Sequence, residues 1–340
     1  MQRILSLLPL AWADSSKETY GLGLLAYHTF CDFKNILEVD RAPVVADVLS
    51  AFIAHLAGAY AASTVVNYVS AIQAWHLVHR LPWNINERET DLLYKAARSI
   101  APPTSKRPPR EPYTLDTLAA IKAQLDLSTP LHAAVFACLT STFFAAARTG
   151  EFTVPNLKAF NPARHITRAG VSTQRDRNGL TMTCFRLPWT KKSPIGEEVN
   201  WAKQNDPHDP EEALANHFRV NDPPPDLPLF AYRAHATRGG MGFTPLMRSK
   251  LLKVLDSALS SAGLHPLKGH GIRIGATLEY LLRGIAFDVV KVKGRWAGDS
   301  FLIYLRKHAQ ILAPYMQAKP KVHAAFLQLT IPPIRRRNGP

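Results

Sequence analysis

Arg148, Lys191, His270, Arg273, Trp296 and Tyr304 follow one another in that order along the chain. Breaking a phosphodiester takes a nucleophile, cations for the nonbridging oxygens and a proton donor for the departing oxygen. A tyrosine hydroxyl, two guanidinium groups and a lysine or histidine can supply all three. His270 and Arg273 are spaced to share one face of a helix. A guanidinium holds two phosphate oxygens in a planar fork, which an ammonium cannot do. The imidazole beside it can share or transfer a proton.

Each of these residues also has a plainer reading. His270 and Arg273 alone could be a surface pair. Arg148 follows an apolar stretch and precedes Glu151, so the two can form an internal salt bridge, face a phosphate, or do both while Glu151 orients the site. Gly150 would let the chain turn sharply between them. Lys191 and Lys192 sit next to a turn, and either can protonate a leaving oxygen or remain solvated. Trp296 can anchor a core or donate its indole N–H. Tyr304 can be a packed aromatic like its neighbours Phe301 and Leu305.

The elements that would position these residues can be read from pattern. Glu18–Phe33, Ala42–Leu56 and Glu87–Ile100 read as helices. Another, capped by Ser63, places Val65, Tyr68, Val69, Ile72 and Trp75 on one face. Segment 101–112 carries five prolines and three basic residues, which predicts a stiff, extended linker. The predicted organisation is therefore a helical domain over 1–100, a basic linker over 101–112, and a second domain over 113–340 with a basic tail at Arg335–Arg337. In the second domain Thr114 can cap a helix, and Leu131–Ala147 is apolar nearly all round, as a buried helix would be. Asn178-Gly179 signals a hairpin turn before Leu180–Leu187, with Glu197–Trp201 as a further strand. Helices are predicted over His270–Arg283 and Phe287–Lys293, and Ser300 can cap the segment carrying Tyr304. The fold class expected is mainly α with a small antiparallel β-sheet.

The 340 residues carry a net charge of +15, which favours a polyanionic partner, nucleic acid before acidic membrane. The three cysteines form no CxxC pair, so neither a zinc knuckle nor a disulfide framework is indicated. The longest apolar runs are too short to span a bilayer, and no convincing signal-peptide cleavage site follows the opening leucines. A soluble, intracellular protein is expected, nuclear if its source is eukaryotic. Arg238-Gly239-Gly240-Met241-Gly242 lacks the lysine of a phosphate-binding loop and reads as flexible. His208 and His217, near Asp209, Glu211 and Glu212, match no metal-site spacing, and residues 203–228 read as a solvated surface excursion.

Taken together, these segments resemble the tyrosine recombinases of the phage-integrase family. Arg148, Gly150 and Glu151 match the family's arginine-x-glycine-glutamate box. Lys191 best matches the hairpin lysine, and Gly269-His270-Gly271-Ile272-Arg273 the histidine-x-x-arginine box. Trp296 matches the histidine-or-tryptophan position and Tyr304 the nucleophile. Gly294-Arg295-Trp296 followed by Ser300-Phe301 and Tyr304-Leu305-Arg306 is particularly similar to recombinases of eukaryotic mobile elements, among them the fungal Crypton-like group. The match covers roughly residues 113–318, and the first hundred residues resemble the family's core-binding domain more weakly. The Trp296-to-Tyr304 interval is a residue shorter than in many bacterial members. Ala297-Gly298 is a loose approach to the tyrosine segment, which leaves open whether the tyrosine acts in its own subunit or in a neighbour.

The resemblance implies an α+β catalytic domain and a site-specific recombinase acting through a 3′-phosphotyrosine intermediate. It implies duplex DNA as partner, no metal or nucleotide cofactor, no membrane, a dimer on each site and a tetramer in the synapse. Lys191 would be the general acid, His270 a proton-transfer group, Trp296 a donor or buttress, and Glu151 an orienting residue. Three other readings fit parts of the pattern: a type IB topoisomerase-like relaxing enzyme, a catalytically idle DNA-binding descendant of a recombinase, and a helical scaffold.

Overall fold

In a computed structural model the described residues are 3, 7–106, 108–205, 207–235, 241–298, 302 and 305–316. The chain divides into two compact units, Met1–Pro109 and Arg110–Pro340. Tyr304 and Ser300, with the tail at Arg335–Arg337, lie outside the described residues.

Among the described residues of the first unit, four α-helices pack together: α1 (Asp14–Phe33), α2 (Ala46–Leu56), α3 (Ala62–His79) and α4 (Glu87–Ser99). Their apolar faces meet in a core that includes Phe30, Phe52, Ile53, Val65, Val69 and Ile72. On α3 the buried seam runs through Val65, Val69, Ile72 and His76 at helical spacing, whereas Trp75 lies beside it against His79, with ring centroids 4.4 Å apart. Ser63 is not the cap of α3. The helix begins two residues earlier than a Ser63 cap would allow, with Ala61 as the capping residue and no side-chain cap. α4 does have one, since Asn86 Oδ1 accepts from the Arg88 and Glu89 N–H groups. The proline-rich segment is not wholly extended. Pro103–Ser105 forms a 3₁₀ turn, closed by the Ser105 hydroxyl donating to the Pro102 carbonyl at 2.7 Å.

The second unit is organised around one buried helix. Thr114 caps α5 (Leu115–Gln124) by accepting from the Thr117 N–H. α6 (Pro130–Phe144) is buried at every position from Ala133 to Phe144, as an element with neighbours on all sides must be. A short helix, α7 (Thr149–Phe152), follows it. β1 (Val171–Arg175), β2 (Thr181–Leu187) and β3 (Glu197–Ala202) then form an antiparallel meander, with Leu187 opposite Glu197 at the far end of the β2–β3 hairpin. The expected turn before β2 is present, and Gly179 takes a positive φ of 80° there.

Residues 203–228 are not simply a surface excursion. They contain α8 (Pro210–Val220), which buries Ala213, Leu214 and His217. Nor is its acidic start fully solvated. Asp209 is buried and caps the helix by accepting from the Glu211 N–H, while His217 Nε2–H donates to the Leu229 carbonyl at 3.0 Å. A second antiparallel pair, β4 (Tyr232–His235) and β5 (Met241–Thr244), follows. Met241 and Gly242, expected in a flexible loop, therefore lie on a strand.

α9 (Arg248–Ser261), α10 (His270–Leu282), α11 (Phe287–Lys293) and α12 (His308–Leu312) complete the described part. α10 lies against the start of the unit, where the Tyr113 N–H donates to the Gly271 carbonyl. A Cβ on Gly275 would come within 1.9 Å of the Tyr113 carbonyl oxygen, so this crossing requires glycine. The fold is mainly α with small antiparallel sheets: a helical unit followed by an α+β unit. No described helix is long and apolar enough to cross a membrane.

Candidate functional site

Between α6 and α7 the chain reverses through Ala146, whose φ is +47°. Gly150, expected to let the chain turn sharply between Arg148 and Glu151, lies inside α7 without positive φ and with nothing within 4 Å of its absent side chain. The reversal brings Arg148 to the start of α7. Glu151 reaches back to it twice, accepting from its backbone N–H and from Nη1, both at 2.8 Å. The Arg148 side chain is 32% exposed and that of Glu151 only 8%. Glu151 thus caps a helix and holds a guanidinium at the surface. The salt-bridge reading of this pair is correct, and it leaves one side of Arg148 open.

Glu151 has a second cation. Arg295 Nη2 donates to its Oε2 at 2.5 Å, and Arg295 Nη1 donates to Glu197 Oε1 at 2.5 Å. Burial raises the pKa of Glu151, but the charge and hydrogen bond of Arg295, joined by the bonds from Arg148, outweigh it and hold the carboxyl below its ordinary value. Arg295 has a φ of +58°, a conformation that costs energy in any residue other than glycine. Its neighbours serve a different partner. Arg273 donates to the Gly294 carbonyl, and its guanidinium lies 4.4 Å from the centre of the Trp296 ring. Arg273 is 1% exposed and Trp296 is 7% exposed. Trp296 packs with Ile274, Phe287 and Leu305, so it buttresses Arg273 from a small core of its own.

His270 opens α10, half-buried, with Gly269 before it. Burial pushes its pKa down to about 4, helped by the positive charges of Arg110, Arg273, Arg148 and Arg248. The imidazole is therefore neutral at pH 7. Three guanidinium groups from other stretches of sequence and one from the same helix act on one ring at a helix N-terminus, where backbone N–H groups add further positive potential. Arg110 and Arg248 were not singled out by sequence reasoning. Arg110 appears there only as one of the basic residues of the linker, and Arg248 belongs to a helix that was not foreseen.

Lys191 is exposed in the loop between β2 and β3. It lines a cleft of about 460 Å³ shared with Arg148, Glu151, Arg164 and Trp189. The Arg164 guanidinium sits 5.4 Å from the Trp189 ring centre. The structure thus brings Arg148 and Lys191 to one cleft, joins Arg148 to Glu151, and places Arg273 and Trp296 in contact. His270 feels the charge of both Arg148 and Arg273. Two further residues went unrecognised. Arg295 lies inside a noted motif, but its carboxylate partners are 98 and 144 positions away. Lys293 is half-buried, with Nζ donating to Asn200 Oδ1 at 2.9 Å and to the Asn200 carbonyl. Among the described residues, no group of three or more His, Cys, Asp or Glu side chains is placed to share a metal ion.

Chemically, the arrangement sets two accessible cations, Arg148 and Lys191, at one cleft and a buried one, Arg273, on rigid supports. Cations held in this way suit an oxyanion, and the imidazole at the start of α10 is uncharged.

No family model and no curated protein sequence matches this chain. Solved structures do. The XerH site-specific recombinase bound to palindromic difH substrate, a post-cleavage complex, aligns over 88% of this chain and 79% of its own, with TM-score 0.54 and 15% identity. A lambda integrase dimer bound to a COC′ core site aligns over 90% of this chain and 76% of its own, with TM-score 0.44 and 11% identity. An Flpe–Holliday junction complex aligns over 63% of this chain, which spans about half (48%) of that chain, with TM-score 0.37 and 12% identity. The XerH alignment carries the conclusion: this chain shares its fold with that structure.

Proposed function

We propose that this protein is a tyrosine recombinase that cuts and rejoins duplex DNA at specific sites, in the service of a mobile element. The observation that carries this reading is the cleft that Arg148, held by Glu151, shares with Lys191, with the charges of Arg148 and Arg273 both reaching His270 at the start of α10. A phosphodiester is the anion such cations suit. The Tyr304 oxygen attacks phosphorus, the P–O5′ bond breaks, and a 3′-phosphotyrosine link retains the bond energy for rejoining. Arg148 and Arg273 offset the charge that builds on the nonbridging oxygens. His270 accepts the phenolic proton, and Lys191 protonates the leaving 5′ oxygen. Trp296 and Glu151 hold the two arginines in place. Four subunits, two on each site, would act in one synapse.

The test is covalent capture from a randomised pool of nicked duplexes. The wild-type chain should form a protein–DNA adduct stable to denaturant. Tyr304→Phe should form none while binding the captured duplex nearly as well. Adducts in that variant would refute the nucleophile. DNA binding without any adduct in the wild type would favour a catalytically idle DNA-binding protein.

A further inference from the structure

The cationic site and the hairpin that carries Lys191 depend on the same guanidinium. Arg295 divides its fork between Glu151, which holds Arg148, and Glu197, the first residue of β3. Glu197 pairs with Leu187 across the hairpin, so the clamp holds β3 at the strand pair from which the loop 188–196 springs. Two residues earlier on the same segment, Lys293 holds Asn200, further along β3. β3 is therefore tied down at two points by residues that flank Gly294, whose carbonyl receives Arg273.

The loop itself is a closed knot. Thr190 is buried; its N–H donates to the Ser193 carbonyl at 3.0 Å, and Ser193 N–H returns the bond at 3.2 Å. The Ser193 hydroxyl donates to the Gly196 carbonyl at 2.6 Å. A Cβ on Gly196, at φ +86°, would meet the Leu187 carbonyl oxygen at 2.5 Å. Such a loop does not need a substrate to acquire its shape. With its root clamped, its position relative to Arg148 is set in advance.

We propose that Arg295 is a positioning residue which, through Glu197, presets the hairpin so that Lys191 stands ready at the Arg148 cleft. This rests on the reading of Lys191 as the acid for the leaving oxygen. In that step the bond from the Tyr304 oxygen to phosphorus forms, P–O5′ breaks with its electron pair moving to O5′, and a proton passes from Nζ to O5′. Replacing O5′ by sulfur makes the leaving group a thiolate, stable without the proton. A defect in acid placement then disappears, whereas a defect in phosphate binding or folding does not.

The experiment compares the wild type with Glu197→Gln, Arg295→Lys and Lys191→Ala on a duplex captured as above, made with a bridging 5′ oxygen or 5′ sulfur. Glu197→Gln keeps the Arg295–Glu151 pair and loosens only the hairpin arm. It should cut the oxygen duplex about 10–100-fold more slowly, part of the ~10²–10⁴-fold a general acid supplies. On the sulfur duplex it should recover to within about 3-fold of wild type, with DNA affinity and melting temperature little changed. Arg295→Lys, a cation that spans one carboxylate, is the second variant if the first does not fold, and its loss should also shrink on sulfur. Wild-type rates on oxygen, or equal slowing on both duplexes, would overturn the clamp. Lys191→Ala distinguishes the two layers: if it is slow on oxygen and rescued on sulfur, the acid assignment stands and the clamp is judged alone. Normal cleavage by Lys191→Ala would overturn the acid assignment and the clamp with it.

Discussion

The guanidinium of Arg273 lies 4.4 Å from the centre of the Trp296 ring and donates to the carbonyl of Gly294, two residues before that tryptophan. A nearly inaccessible cation needs compensation for its lost hydration. Here part of it comes from the electron-rich face of an indole and part from a backbone dipole. The same tripeptide turns Arg295 toward Glu151 and Glu197. One short segment therefore supports Arg273 directly and Arg148 at second hand.

The first prediction concerns Trp296. Truncation of a buried tryptophan to alanine costs ~3–5 kcal/mol, because a cavity remains where the ring packed. Trp296→Ala should lower the melting temperature markedly and abolish adduct formation. Trp296→Phe keeps an aromatic face in the same place and should retain most of the stability, with a weaker cation–π contact and slower cleavage. Calorimetry together with covalent capture measures both. Full activity in Trp296→Ala would mean that Arg273 does not need the ring.

The second concerns His270, whose pKa lies near 4 in the free protein. Its folded value is below that of an unfolded chain. The unfolded state therefore binds the proton first as pH falls from about 6.5 toward 4, and this group's contribution to stability is lost across that window. His270→Asn should flatten stability against pH there. An oxyanion on the cluster should do the opposite to the proton affinity, raising the pKa of His270 and making sulfate bind more tightly as pH falls. Proton NMR of the histidine with and without sulfate checks this, and an unmoved pKa would mean that the anion binds elsewhere.

The third concerns α10. Gly275→Ala would drive a Cβ to within 1.9 Å of the Tyr113 carbonyl oxygen, a backbone atom that cannot swing aside. The helix must shift, carrying His270 and Arg273 with it. Overpacking of this kind typically costs ~1–3 kcal/mol. A lowered denaturation midpoint and reduced cleavage are expected. Gly150→Ala meets nothing within 4 Å and should be neutral or slightly stabilising, since alanine favours a helix. Equal melting temperatures for the two variants would contradict this packing.

Long periodic elements were legible because their burial pattern is local. α6 could be read from an apolar run, α5 from Thr114, and the β2 hairpin from Asn178-Gly179. α9 was not foreseen, although Leu251, Leu255, Ala258 and Leu259 form its buried stripe. β4 and β5 are four residues each with little apolar alternation, and pairing with each other defines them. In the site, the pairing of Arg148 with Glu151 is readable at a spacing of three. Arg110, Arg248 and Arg295 carry no such mark. Their partners come from other elements, so only the fold identifies them. Gly150 shows the opposite error, since a glycine suggested a sharp turn between Arg148 and Glu151 where the chain forms a helical turn.

The fourth prediction concerns Lys293. Burial lowers its pKa to about 8, countered in part by Cys184 and reinforced by Arg295. An unfolded chain holds the lysine proton up to about pH 10.4. Between these values the unfolded state binds more protons than the folded one, so stability contributed by this group rises with pH. From pH 7.5 to 9.5 the gain amounts to about 2 kcal/mol at 1.36 kcal/mol per pKa unit. Other groups titrate in the same range, so the difference between wild type and Lys293→Met isolates the effect. Met removes both the charge and the bonds to Asn200, which should destabilise at high pH, where the wild-type amine is neutral, and cost less at pH 7.5, where the buried charge is itself unfavourable. Urea unfolding at the two pH values measures this. A difference independent of pH would place the Lys293 ammonium in a better-compensated environment than its burial implies.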